Sequence, residues 1–141
     1  MATKKKTLPK LKNEALELMQ LLVRLKASDD NGYCKCVTCD AVSLFNKGMQ
    51  GGHFISRGKT KWCLSEENVH PQCAACNGFG MKYHNKEAVY TIYMQEMYGY
   101  EFVQNMLDTQ GEIVKLSRFD LEDNIKDFKE QIKFHKDRIG V

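Results

Sequence analysis

Four cysteines stand in two C-x-x-C pairs separated by 33 residues: Cys36, Cys39, Cys73 and Cys76. Each pair offers two thiolates with the short separation that tetrahedral zinc requires, and in a reducing compartment this spacing favours zinc over disulfides. Four thiolates complete the coordination sphere, so we expect a structural zinc that leaves no position for substrate. The remaining Cys34 and Cys63 are predicted to be free thiols, with Cys63 buried beside Trp62.

His53 is the one histidine in the string G-G-H-F-I-S-R-G, which lies between the two cysteine pairs. A neutral imidazole can take a proton from water near physiological pH, so that the water oxygen attacks a phosphodiester. The two glycines before it let the backbone bend closely around a substrate strand, and we expect this histidine on a solvent-exposed loop. The alternatives are a further zinc ligand or a surface histidine. Asn77, directly after the second pair, has a side-chain oxygen suited to a hard cation.

Basic residues are concentrated in two places along a chain whose net charge is +3. Segment 41–65 contains no Asp or Glu; its basic residues are Lys47, Arg57, Lys59 and Lys61. This distribution suits a polyanion such as a nucleic-acid backbone, and the alternative is a solvated basic loop. For the lysines before Glu14 we expect a solvated tail. That tail has no apolar run behind it, so we expect no secretory signal, and we expect no contact with a membrane.

The string G-H-F-I-S-R-G, followed by E-N-V-H-P-Q-C-A-A-C-N, closely resembles the HNH (ββα-metal) nucleases. Within them it is most similar to the phage recombination endonucleases of the NinG/Rap type, over residues 33–107. The resemblance implies an α+β fold with a zinc-stapled ββα-metal core and flanking N- and C-terminal helices. It also implies that His53 is the general base, that Asn68 braces the loop holding it, and that Asn77 binds a catalytic Mg²⁺ or Mn²⁺.

One position departs from the HNH pattern. Many HNH enzymes place an Asp or a second His immediately before the base, as a metal ligand, whereas this chain has Gly52. His84, seven residues after Asn77 and so two helical turns along the same face, is a candidate for the missing ligand. The alternative is a cation held by Asn77, water and the substrate phosphate.

The basic residues after His53 are candidate DNA contacts. Arg57, four residues beyond the base, is expected to hold the scissile phosphate or to stabilise its developing charge. Lys59 and Lys61 are expected to contact the DNA backbone. For His70 we expect a role in bracing the loop.

Three parts of the chain are predicted. They are a basic tail and N-terminal helix (1–32), the HNH core with following helices (33–107), and a C-terminal helix (108–141) as a possible dimerisation element. Helices are expected over 8–27, 86–98, 101–107 and 119–139, with another starting near 73 or 77, and strands over 42–45 and 53–55.

The last helix has a capping-box signature at Ser117 and Asp120. Its apolar positions repeat at steps of four and three: Leu121, Ile125, Phe128, Ile132, His135 and Ile139. This pattern is typical of a coiled-coil or bundle seam, and packing on its own domain explains it equally well.

The residues and the resemblance together predict a DNA endonuclease that cleaves branched recombination intermediates, such as Holliday junctions, D-loops or flaps. Two coordinated sites would cut a four-way junction, which predicts a homodimer. By resemblance the protein is phage-encoded and acts in the cytoplasm of the bacterial host. Two alternatives stay open. One is a sequence-specific HNH nicking or homing endonuclease, and the other is a non-catalytic zinc module that binds nucleic acid or a protein.

Overall fold

The computed structural model describes residues 4–141, so the first three residues of the predicted basic tail lie outside it. Within this range the fold is α+β, with five α-helices and two antiparallel two-stranded sheets. The helices are α1 (Leu8–Lys26), α2 (Met81–Tyr83), α3 (Lys86–Tyr98), α4 (Tyr100–Thr109) and α5 (Arg118–Ile139). The strands are β1 (Tyr33–Lys35), β2 (Val42–Leu44), β3 (Met49–His53) and β4 (Val69–Cys73). Between residues 4 and 141, no helix combines the length and apolarity needed to cross a membrane.

Helix α1 begins and ends close to its predicted bounds. The Thr7 hydroxyl accepts a hydrogen bond from the Lys10 amide, and Pro9 lies in the first turn, where its missing N–H costs nothing. The apolar stripe of the helix is buried, including Leu11, Ala15, Met19, Leu22 and Leu25. This helix therefore supplies one wall of the main core.

Helix α5 packs against α1, within the same chain. The predicted capping box is present, because the Ser117 hydroxyl accepts from the Asp120 amide and the Asp120 carboxylate accepts from the Ser117 amide. Four positions of the four–three repeat are buried: Leu121, Ile125, Phe128 and Ile132. The repeat is thus explained by packing on its own domain. A dimer would need another surface.

The two sheets are separate, and each consists of one antiparallel pair of strands. Strand β1 pairs with β2, and β3 pairs with β4 in a register that places His53 opposite Val69. The strand expected over 42–45 is confirmed, but the one expected over 53–55 is wrong in its bounds, since β3 ends at His53. Strands β1 and β4 were not predicted. In β4, Pro71 lacks an N–H and weakens the strand signal.

Two hydrophobic clusters fix the position of β3. The larger one joins α1 and α5 to the strands and includes Met49 at the start of β3. The smaller one contains Tyr90, Met94, Val103 and Met106 from α3 and α4, together with Phe54 and Ile55. His53 therefore lies between two anchored points of the backbone.

Candidate functional site

The two cysteine pairs come together in one cluster. The four Sγ atoms of Cys36, Cys39, Cys73 and Cys76 all lie within 4.8 Å of one another, and those of Cys39 and Cys73 are 3.6 Å apart. Tetrahedral zinc with Zn–S bonds of about 2.3 Å requires sulfur–sulfur distances of roughly 3.8 Å. The cluster therefore fits a zinc ion, and such an ion would join the turn after β1 to the end of β4.

The two other cysteines lie outside this cluster. Cys34 and Cys63 are both buried. Burial raises the pKa of the Cys34 thiol, which keeps it neutral. The Cys63 side chain donates a weak hydrogen bond to the carbonyl oxygen of Thr60.

His53 is the last residue of β3 and is half-buried, rather than exposed on a loop as expected. Its Nε2 lies 2.9 Å from the carbonyl oxygen of Cys63. A carbonyl oxygen only accepts, so Nε2 carries the proton of the neutral ring and Nδ1 keeps a free lone pair. Burial lowers the pKa of His53, and the nearby positive charge of Arg57 lowers it further. The ring is therefore neutral at physiological pH, with Nδ1 able to accept a proton.

Several polar side chains line a cavity of about 500 Å³, and four of them can act as a base, a positive charge or a cation ligand. They are His53, Arg57, Asn77 and Glu87, and the backbone of Gly51 contributes to the same wall. The cavity has room for a hydrated cation and part of a phosphodiester. It thus combines a neutral imidazole, a guanidinium, an amide oxygen and a carboxylate.

Asn68 is fully buried and binds the segment that follows His53. Its Oδ1 accepts from the amide of Ile55 at 2.7 Å, and its Nδ2 donates to the carbonyl oxygens of Ile55 at 2.9 Å and Trp62 at 3.1 Å. These bonds hold both ends of segment 55–62, which contains Arg57. The carbonyl of Cys63, which orients His53, follows directly.

Asn77 lies in a π-helical turn, Cys76–Gly80, that leads into α2. Helices of this type are rare and often occur at functional sites. The Asn77 amide group donates to Gln50 Oε1 at 2.8 Å, which fixes the orientation of the side chain. Because Nδ2 is the donor, Oδ1 is the atom presented as a candidate cation ligand.

The predicted pairing of Asn77 with His84 depends on a continuous α-helix, and the structure interrupts it. The π-helical turn is followed by only three α-helical residues, and His84 ends α2 with φ −121°. The exposed His84 ring lies 6.1 Å from the Phe79 ring, and His84 is not among the residues that line the cavity. His84 therefore does not share the wall of this cavity with Asn77.

Position 52 has no space for a metal-binding side chain. A Cβ atom on Gly52 would lie 1.9 Å from Oε1 of Gln72, which is fully buried. Within residues 4–141 this Oε1 is the one buried side-chain oxygen without a hydrogen-bond partner. An Asp or His at position 52 would therefore collide with a core side chain. Glu87, which sequence reasoning missed, is the carboxylate that the fold brings to the cavity instead.

His70 belongs to a chain of hydrogen bonds that ends at the backbone beside His53. The Tyr98 hydroxyl lies 2.7 Å from His70 Nε2, His70 Nδ1 lies 3.1 Å from the Tyr90 hydroxyl, and that hydroxyl donates to the Gly52 carbonyl at 2.7 Å. Since the Tyr90 proton goes to Gly52, His70 Nδ1–H is the donor to Tyr90 and Nε2 accepts from Tyr98. Burial lowers the pKa of His70 to about 4, so the chain is neutral at pH 7.

The predicted DNA-contacting residues differ in their surroundings. Arg57 lines the cavity, Lys59 is exposed on the same segment, and Lys61 forms an ion pair with Glu112. The charge of Lys61 is thus partly neutralised within the chain. Arg57 is the member of this group that lies beside His53 and Asn77.

The fold and the cysteine cluster define a small α+β protein with a candidate structural zinc site. The family model described as Bacteriophage Lambda NinG protein matches residues 2–137 of this chain. The chain belongs to the NinG family, and this phage family suggests a role related to recombination. A comparison with curated proteins gives no match, and a comparison with solved structures gives none either.

Proposed function

We propose that the protein is a metal-dependent DNA endonuclease of the HNH class. The observation that carries this proposal is the cavity in which His53, with Nδ1 free to accept a proton, shares a wall with Asn77 and Arg57. A zinc ion bound by the cysteine cluster would hold the end of β4 and the start of the π-helical turn. It would thereby position His53 and Asn77 relative to each other. Its four sulfur ligands give it a structural role only.

In the proposed reaction, His53 Nδ1 takes a proton from a water molecule as its oxygen attacks the phosphorus. The bond from phosphorus to the leaving oxygen then breaks, and that oxygen takes a proton from solvent, which gives two DNA ends. Arg57 donates hydrogen bonds to the phosphate and offsets its negative charge. The hydrogen bond from Nε2 to Cys63 stabilises the imidazolium ring that forms. Asn77 would hold a Mg²⁺ or Mn²⁺, which would supply charge stabilisation for the leaving oxygen.

For the cation we propose a ligand pair formed by Asn77 Oδ1 and the Glu87 carboxylate. Oxygen ligands of this kind suit Mg²⁺, which commonly binds one or two carboxylates and keeps several waters. Glu87 is the one carboxylate among the described residues that line the cavity, and it lies in the first turn of α3. In this proposal Glu87 supplies the metal ligand that many HNH enzymes have at the position of Gly52. It also replaces His84 as the candidate second ligand.

The cation site can be tested by Mn²⁺ binding, followed by electron paramagnetic resonance. Glu87→Gln keeps the shape of the side chain and should weaken Mn²⁺ binding at least tenfold. The matched control is Glu96→Gln, an exposed carboxylate on the same helix. Equal Mn²⁺ affinity in both variants would exclude Glu87 as a ligand.

The proposed substrates are branched recombination intermediates. The charge distribution supports a nucleic-acid ligand, because segment 41–65 around His53 contains no carboxylate. Cutting both strands of a four-way junction requires two sites, so we propose a homodimer. Its interface lies outside the stripe of α5 that packs on α1.

The decisive experiment compares cleavage of a four-way junction with cleavage of a linear duplex of the same sequence, in Mg²⁺. The wild type should cut the junction, and His53→Ala should not. The matched control is His135→Ala, a histidine on α5 outside the cavity, which should cut like the wild type. If wild type and His53→Ala cut equally, the activity is a contaminant and the non-catalytic zinc module is the better explanation. Cleavage of one sequence in both substrates would favour a nicking or homing endonuclease.

A further inference from the structure

An exposed aromatic pair lies immediately after the proposed cation ligand. Phe79 and Tyr83 are 67% and 60% exposed, and their ring centroids are 4.8 Å apart. Burying a large aromatic ring is strongly favourable, so two adjacent rings left in water are suited to contact a ligand. The pair belongs to neither hydrophobic cluster of the described chain.

The local backbone sets the position of this pair. Asn77 and Met81 line the cavity, while Phe79 and Tyr83, each two residues further on, are exposed to solvent. Residues two apart in a helical segment project to nearly opposite sides. The aromatic pair therefore lies about one helix width, roughly 10 Å, from the cation ligand. An unpaired strand is more extended than the roughly 3.4 Å per nucleotide of a duplex strand, so a few nucleotides are enough to span this distance.

The charge around the pair favours a polyanion. Segment 68–86 contains two lysines, Lys82 and Lys86, and no Asp or Glu. The Lys82 ammonium lies 5.3 Å from the centroid of the Tyr83 ring, so an aromatic face and a positive charge are presented together. Aromatic rings beside basic side chains are the usual platform for unpaired bases of single-stranded nucleic acid.

We propose that Phe79 and Tyr83 stack against unpaired bases of the DNA strand, a few nucleotides from the bond that is cut. This inference rests on the proposed function and extends it, because it provides a reason for preferring branched DNA. In a fully paired duplex the bases are stacked on one another, so none is available to stack on Phe79 or Tyr83. A flap or an open branch point offers them at little cost.

The test measures DNA binding without added divalent cation, so that cleavage does not occur. A flap substrate carries 2-aminopurine at single unpaired positions near the branch, and a linear duplex serves for comparison. Binding of the wild type should quench the fluorescence at one or two of these positions. The Phe79→Ala/Tyr83→Ala variant should lose the quenching and bind the flap about 5- to 150-fold more weakly, with little change on the duplex.

Two controls separate stacking from loss of structure. Tyr83→Phe keeps the ring and should retain the quenching. Phe134→Ala removes a ring that is 65% exposed on α5, far along the chain from the site, and should behave like the wild type. If the double variant binds and quenches the flap as the wild type does, the stacking proposal is overturned while the endonuclease proposal stands. If the wild type binds neither DNA, both are overturned.

Discussion

The Nε2 atom of His53 lies 2.9 Å from the carbonyl oxygen of Cys63, which directs the free lone pair of Nδ1 away from that carbonyl. Burial lowers the pKa of this ring below its usual value of 6.5. In the proposed mechanism the neutral ring is the active form, so cleavage should stay maximal at pH 7 and fall only as the pH drops below 6.5. We expect the acidic limb of the pH–rate profile of DNA cleavage to have its midpoint below 6.5.

The same contact predicts the effect of His53→Gln. Glutamine can still donate to the Cys63 carbonyl but cannot act as the base, so cleavage should fall by about 10²- to 10⁴-fold while DNA binding and zinc content are retained. Binding is measured by fluorescence anisotropy. A variant that cleaves with the wild-type rate and pH profile would show that His53 is not the base.

Gly52 and Gln72 give a prediction about stability. A Cβ at position 52 would lie 1.9 Å from Gln72 Oε1, so Gly52→Ala should lower the free energy of unfolding by about 1–3 kcal/mol. The matched control is Gly111→Ala, where an added Cβ meets nothing within 4 Å. Urea denaturation measures both. Adding Gln72→Ala to Gly52→Ala removes the colliding atom, so its further cost should be smaller than the cost of Gln72→Ala alone.

The sequence predicts the helical elements well because their signals are local. The cap at Thr7, the capping box of Ser117 and Asp120 and the apolar stripes act within a few residues of each other, and α1, α3 and α5 begin and end within about one residue of the predicted bounds. Strand β4 was missed because Pro71 lies in its centre and its pattern is set by pairing with β3, at a distance in sequence. The four–three repeat of α5 could not distinguish an intramolecular partner from an intermolecular one.

In the candidate site too, features set by the local sequence were predictable and features set by tertiary contacts were not. The cysteine cluster was predictable because matched C-x-x-C pairs have one common use, and the four sulfur atoms do come together. Glu87 was not predictable, since nothing in its local sequence marks it and only the fold brings it to the cavity. The predicted alignment of Asn77 with His84 assumes a regular α-helix, whereas the π-helical turn changes the rotation per residue. Hydrogen-bonded backbone contacts such as that of His53 with Cys63 are tertiary and leave no pattern in the sequence.

His70 predicts a loss of stability in acid. Burial lowers its pKa in the folded chain to about 4, against a usual value of 6.5, so the unfolded chain binds a proton first as the pH falls. The free energy of unfolding should therefore decrease through the window from pH 6.5 to 4, by about 2 kcal/mol between pH 7 and pH 5 from this group alone. His70→Phe should be less stable at pH 7, because Tyr98 and Tyr90 lose a partner, yet show a shallower decrease in acid. Parallel pH dependence in the two proteins would contradict the assignment.

Removal of zinc should have the largest effect on the fold, because the cluster joins two segments that are 33 residues apart in sequence. We expect one zinc per chain by elemental analysis.

Cys39→Ala removes a ligand whose side chain is exposed, so little packing is lost, and any fall in melting temperature reports the loss of metal. The matched control is Cys34→Ala, which removes a buried thiol outside the cluster and should keep its zinc despite a cost in packing. If Cys34→Ala lost the metal and Cys39→Ala kept it, the assignment of the ligands would be wrong. DNA cleavage should follow zinc content across these variants, because an ion bound by the four cysteines would hold β4 and the turn containing Asn77 in the positions that place this side chain beside His53.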